Sequence, residues 1–192
     1  GDVQSPFYAS ILRGISDVAR ADGFGVVVTN SDEIPEREKQ STQLLLEKRV
    51  DGLIIAPCDT SSAEHLRAAV RDGHQIVQID RLVRDLATDS VTVKNCEAVE
   101  RCISDLISSG HRHIAMVGEL ESWDGGDLDT FLTTLSQGLI DPETLYPSWQ
   151  RLYGFVQAHW NAGLRISREL IVRVGSYSVE AARQRTSALF SG

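Results

Sequence analysis

Apolar residues along this chain fall into two alternating spacings. Tyr8, Ile11, Leu12, Ile15 and Val18 recur every three or four positions, as in a helix with one buried face. Ser5 and Pro6 stand where an N-cap and a first helical residue belong, and Gly23 stands where the helix should stop. Val26, Val27 and Val28 form an unbroken β-branched run, expected as a buried strand ending at Thr29 and Asn30. Pro35 opens a second helix, with Leu44 and Leu45 inward and Glu36, Arg37, Glu38 and Lys39 outward. Residues 53–56 make the next strand, stopped by Pro57. Ser61 and Glu64 have the spacing of a capping box for a third helix, which Gly73 closes. The apolar run 76–79 is another strand, ending at Asp80 and Arg81.

The stretch 91–118 reads as strand, helix, strand. Residues 91–93 are short and β-branched. Val99, Cys102, Ile103, Leu106 and Ile107 carry the helical spacing, Gly110 caps its end, and 113–117 is a second apolar run. The theme then restarts. Residues 151–160 fit a helix with Leu152, Phe155, Val156 and Trp160 inward, and 170–174 fit a strand. Ser178 caps a last helix carrying Val179, Ala182, Thr186, Leu189 and Phe190.

Helices alternating with short, continuously apolar strands predict an α/β fold with parallel sheets covered on both faces and right-handed crossovers. Because the unit repeats, two Rossmann-like parallel-sheet subdomains are expected, 1–92 and 93–192, with 91–118 as the passage between them. Residues 119–148 fit neither spacing. They carry Trp123, an acidic glycine-rich turn (Asp124, Gly125, Gly126, Asp127, Asp129), a short helix through Phe131 and Leu135, and two prolines. This stretch is expected as an insertion: a lid, a dimer element or a disordered loop.

Composition narrows the class. With 192 residues, 42% apolar and 24% charged, the chain can build one globular domain or two small ones. No apolar run approaches the ~20 residues that cross a bilayer, and no signal-peptide pattern opens the chain. Three cysteines without metal spacing fit a reducing compartment. A net charge of −8 without a basic stripe makes a poor nucleic-acid binder, so any DNA-contacting part lies outside these residues.

In open parallel sheets, ligands bind beyond the carboxyl ends of the strands. That rule selects the Pro6-Phe7-Tyr8 corner, Asn30, Pro57-Cys58-Asp59, Asp80-Arg81, Gly118-Glu119 and Gly175-Ser176-Tyr177. Enzyme chemistry finds little support. Cys96 and Cys102 read as small buried hydrophobes, which leaves Cys58 as the one candidate thiol. His111 and His113 lack a third metal ligand, and the Asp124 to Asp129 turn lacks the ligand order of a calcium loop. There is no GxGxxG after a strand and no Walker loop, so no cofactor and no metal is expected.

The run SSGHRHIAMVG, preceded by VKN at a helix's distance, resembles the LacI/GalR family of bacterial transcription regulators. Residues 5–57, HQIVQIDR and RLYGFVQAHWNAGL are similar to it as well. The resemblance implies a partial periplasmic-binding-protein-like fold of type I. Family members have a strand before the position of Asp2 and further strands and helices after that of Phe190. It implies a small-molecule effector, of the sugar class, held in a cleft between the halves. It also implies a homodimer, cytoplasmic location, and operator DNA bound through a helix-turn-helix outside this chain. By resemblance Phe7 and Tyr8 match the corner that touches the effector, Asp80 an aspartate at a strand end, Arg151 an effector-clamping arginine, and Tyr177 an aromatic that packs on a ring. Carboxylate, guanidinium and aromatic faces together suit a polar ring compound. Plainer readings stand beside these: Phe7 or Tyr8 as the start of the buried stripe, Asp80-Arg81 as a surface pair, Arg151 and Tyr177 as solvated side chains. A periplasmic sugar-binding protein of a transporter is the alternative, with an enzyme on a related sheet a distant third.

Overall fold

The computed structural model describes residues 2–120, 126–176 and 178–190. Trp123, Asp124, Gly125 and Tyr177 lie outside them. The chain divides into two compact units, Gly1–Thr92 and Val93–Gly192.

In the first unit α1 spans Pro6–Ala21, α2 Pro35–Glu47 and α3 Glu64–Arg71. Strands β1 (Leu53–Ile55), β2 (Ile76–Ile79) and β3 (Asp89–Val91) form a parallel sheet in that order, with Leu53 opposite Ile76 and Ile79 opposite Val91. Its core is Leu53, Ala63, Leu66, Ala69, Ile76, Val83 and Leu86. Pro6 and Pro35 stand in the first turns of α1 and α2. Gly23 and Gly73 take φ of +83° and +88° just past their helices, a conformation only glycine adopts without cost.

Four expectations fail here. Residues 26–28 are extended but make no ladder, and their valines are 39%, 67% and 48% exposed, because no strand of the described residues lies beside them. Helix α1 carries its apolar stripe half-covered, with Val18 64% exposed. Ser61 does not cap α3. The Asp59 carboxylate takes its N–H and hydroxyl, both at 2.7 Å, and Ser62 N–H at 3.1 Å, an Asx turn that outcompetes the box. Leu44 points to solvent, whereas Glu38, expected outside, is buried.

Glu38 is buried because it has partners. One oxygen accepts the Cys58 N–H at 2.6 Å, and the other meets His65 Nε2 at 3.0 Å. Burial alone would raise its pKa, but hydrogen bonds from His65 and Cys58 override this and hold it below the usual carboxylate range. A carboxyl depressed on folding contributes stability above its unfolded pKa and loses it as pH falls through the folded value. Acid titration below about pH 4.3 is therefore expected to unfold the parent more steeply than Glu38→Gln. Parallel acid melts would contradict this.

In the second unit α4 spans Asn95–Ser108, α5 Leu128–Ser136, α6 Pro147–Asn161 and α7 Val179–Ser187. Strands β4 (Met116–Gly118) and β5 (Ile171–Arg173) pair in parallel, Met116 opposite Ile171. The core gathers Ile103 and Ile107 from α4, Phe131 and Leu135 from α5, and Trp149, Leu152, Phe155 and Val156 from α6. Phe131 and Trp149 pack with tilted rings, 4.7 Å between centroids. The stretch after β4 thus supplies core: α5, capped by Asp127 accepting the Thr130 N–H at 2.8 Å, fills it. Helix α6 packs on α4 at Gly154, where an added Cβ would lie 2.2 Å from the Cys96 carbonyl oxygen.

The outward side chains again depart from expectation. Cys102 is exposed and Cys96 half-buried, Trp160 is 39% exposed, and α7 buries nothing, with Val179 85% exposed and Phe190, beyond its end, 84% exposed. Ser178 does cap α7, accepting the Ala181 N–H at 3.3 Å.

Candidate functional site

In the first unit, three of the expected residues meet. Phe7 and Tyr8 leave the first turn of α1, with their rings edge to face at 5.1 Å. The Tyr8 hydroxyl donates to Asp80 Oδ2 at 2.8 Å. Asp80 follows the last residue of β2, where the strand-end rule put it. Its N–H still reaches the Val91 carbonyl at 3.0 Å, while its φ of +65° turns the chain away from the sheet. Aspartate tolerates this left-handed bend better than most residues. Burial, with the Asp80 carboxylate beside it, pushes the Tyr8 phenol pKa well above its ordinary value, even though the Arg81 guanidinium opposes the rise. Tyr8 is a neutral donor.

Arg81 corrects the surface-pair reading. Its side chain is 2% exposed. The guanidinium forks onto Glu33, with Nη2 at 3.1 Å from Oε1 and Nη1 on Oε2, and Nη1 also donates to the Pro57 carbonyl at 3.1 Å. Nε stands 3.6 Å from Asp80 Oδ2. Arg81 therefore ties the turn at Glu33 and the segment after β1 to the end of β2. Glu33 is reached through a turn in which Asp32 and Glu33 both take left-handed φ, +50° and +58°. Holding a glutamate there costs about 1–2 kcal/mol, repaid by the fork.

Cys58 is not set up as a nucleophile. Burial, with Glu38 close by, pushes its thiol up to about 11, against the lowering effect of Ser31 Oγ at 3.1 Å. A thiol that stays protonated at neutral pH attacks slowly.

In the second unit, Arg151 lies half-buried in α6, and its Nε donates to Asn95 Oδ1 at 2.8 Å. Asn95, the first residue of α4, is buried and also donates from Nδ2 to Gln150 Oε1 at 2.9 Å and the Val93 carbonyl at 3.2 Å. Glu119, just past β4, accepts from the buried Ser148 hydroxyl at 2.9 Å. Sequence reading named Glu119 and Arg151 but missed Asn95, Gln150 and Ser148. The VKN run and the residue before RLYGF held the signal, since polar residues at the start of apolar helices need partners. Tyr177 lies outside the described residues. Among the described residues no group of three or more His, Cys, Asp or Glu is arranged to hold a metal, and no helix is long and apolar enough to cross a membrane.

Comparison with known proteins finds residues 2–127 matched by the family described as periplasmic binding proteins and sugar binding domain of the LacI family. Transcriptional regulator PtxS of Pseudomonas plecoglossicida is 32% identical over 118 residues, 62% of this chain and 34% of that protein. Catabolite control protein A of Priestia megaterium is 31% identical over 121 residues, 62% of this chain and 36% of that protein. The aligned part of the chain thus spans about a third of the length of these curated relatives. Among solved structures, the Cra transcriptional dual regulator of Pseudomonas putida in complex with fructose 1-phosphate superposes with a TM-score of 0.75 at 25% identity, covering 98% of this chain and 61% of that one. A LacI family regulator of Lactobacillus casei with bound glucose gives 0.74 at 18% identity, covering 100% and 63%. This second likeness shows the fold alone.

Proposed function

The chain belongs to the family of periplasmic binding proteins and LacI-type sugar binding domains, and from that premise we propose that it is the ligand-sensing domain of a DNA-binding transcription regulator. Its effector is a small polar metabolite of the sugar class, and no bond of the effector is made or broken. Its expected contacts are the residues that the family pattern names, Phe7, Tyr8, Asp80, Arg151 and Tyr177. Operator DNA is bound by a helix-turn-helix outside these residues, in a cytoplasmic homodimer. The effector biases DNA affinity only through its different affinity for the two states of the regulator. The transporter alternative is the weaker reading, because the matched relatives are named as regulators.

The observation that carries this reading is the Tyr8–Asp80 pair at 2.8 Å. The phenol loads one carboxylate oxygen and leaves the other to accept from a hydroxyl, beside the exposed Phe7 ring. A thermal-shift screen of the protein against sugars, nucleobases and amino acids tests it. A ligand at 100 times its dissociation constant adds about 2.7 kcal/mol, or about 5–10 °C in a chain of this size. The shift is expected to vanish in Asp80→Asn, which keeps the bend but loses the charge. A shift of unchanged size in Asp80→Asn would move the ligand elsewhere. The gene segment preceding this chain decides the class: a basic helix-turn-helix supports the regulator, a signal peptide the transporter component.

A further inference from the structure

We propose that Asn95 is a positioning residue, which holds Arg151 by its Nε–H and leaves both Nη groups to take the two oxygens of an acid group, a carboxylate or a phosphate, on the effector. This deepens the sensing reading and rests on it.

A guanidinium grips an oxyanion either side-on, through Nε and one Nη, or end-on, through both Nη groups. Asn95 Oδ1 occupies Nε at 2.8 Å, which closes the side-on approach. The end-on approach stays available, since Arg151 makes no other hydrogen bond or ion pair among the described residues. Two parallel N–H groups match two oxygens of one acid group better than they match a lone hydroxyl.

Charge points the same way. Every other lysine or arginine of the second unit is exposed among the described residues, and three of them pair with carboxylates: Lys94 with Glu97, Arg168 with Asp129 and Arg183 with Glu180. Arg151 is half-buried and has no carboxylate partner among the described residues. A partly desolvated cation without a counter-charge is costly unless something supplies one.

Asn95 is built for the task. It is 4% exposed, and its amide is assigned without ambiguity. The oxygen faces an N–H that can only donate, and Nδ2 faces the Val93 carbonyl and Gln150 Oε1. Held on three sides, it cannot turn to release Arg151. An aspartate there would neutralise the guanidinium, at the cost of turning a second carboxylate oxygen toward the Val93 carbonyl, where Nδ2 now donates.

The test is a titration of the full chain, labelled with nitrogen-15, following the Arg151 Nε–Hε cross-peak, assigned by its loss in Arg151→Lys. Acetate and inorganic phosphate are the probes, with chloride at equal ionic strength as control and glucose as a neutral ligand. In the parent, one of the two anions is expected to move the peak saturably, chloride and glucose are not, and which anion does so separates carboxylate from phosphate. In Asn95→Ala the half-saturating concentration should rise at least tenfold, and the peak of the free protein should broaden or vanish. In Asn95→Asp, whose remaining spectrum reports whether the variant is folded, the Arg151 peak of the free protein should persist while the anion response disappears. An Arg151 peak indifferent to both anions, or an Asn95→Ala titration matching the parent, overturns the proposal. A neutral sugar that stabilises through Asp80 while neither anion acts at Arg151 sinks this proposal alone. An anion response at Arg151 with no stabilising metabolite sinks the sensing reading instead.

Discussion

Gly154→Ala is expected to destabilise the second unit by about 3 kcal/mol or more, at or beyond the upper end of ordinary overpacking. The new Cβ would lie 2.2 Å from the Cys96 carbonyl oxygen and 3.0 Å from both the Cys96 carbonyl carbon and the Glu100 nitrogen. All three atoms are α4 backbone, so no side chain can swing aside. The helices must part, and Leu152, Phe155 and Val156 then lose their fit against Ile103 and Ile107. Gly14 gives the contrast. It lies on the exposed side of α1 with nothing within 4 Å of an added Cβ. Gly14→Ala should therefore stabilise by up to about 1 kcal/mol through helix propensity alone. Urea unfolding of both variants, read against the parent, checks the pair. A Gly154→Ala midpoint equal to the parent's would mean that the close approach is absent.

Arg81→Ala carries the second large effect, about 3–5 kcal/mol, the usual result of removing one partner from a buried ion pair. It deprives Glu33 of its fork and Pro57 of a donor. It also leaves the Asp80 carboxylate, itself 9% exposed, without the nearby positive charge. Arg81→Lys should recover only part of the loss, since an ammonium cannot reproduce the planar fork. Glu33→Gln should cost less than Arg81→Ala, because Glu33 is 33% exposed and water can reach the vacated side. Equilibrium unfolding of the three variants orders them. If Arg81→Ala lost less than 1 kcal/mol, the guanidinium would be a loosely held surface group. The Asp80 reading would then lose its support, since Arg81 braces that strand end.

What could be read in the sequence was whatever depends on local chemistry. Proline at the first helical turn, glycine beyond the last, the serine cap at Ser178 and the apolar runs of β1, β2 and β5 each reflect a short-range requirement, and each was found. Strand-end topology and a family pattern each named Tyr8 and Asp80, and the structure joins the two by a hydrogen bond at 2.8 Å. Failures occurred where a distant partner decides the outcome. Glu38 reads as solvent-facing by its neighbours in sequence and is buried by Cys58 and His65. Arg81, for which a surface pair is only the plainer alternative, is buried by Glu33, far off in sequence. Asn95 carries no catalytic signature, and only its partners Gln150 and Arg151 show its use. The valines at 26–28 failed in the opposite sense: their pattern is that of a covered strand, and the described residues provide no cover.

That extended run has a colloidal consequence. Among the described residues, no hydrogen bond engages the backbone of Val26, Val27 or Val28, and the side chains are β-branched and wet. A bare edge of this kind is a template on which another copy can lay a strand. At neutral pH the net charge of −8 keeps copies apart. Near the sequence pI of about 5.1 that repulsion disappears while the edge remains. Association through residues 26–28 is thus expected to grow as the pH falls toward 5.1, read as light scattering at fixed protein concentration.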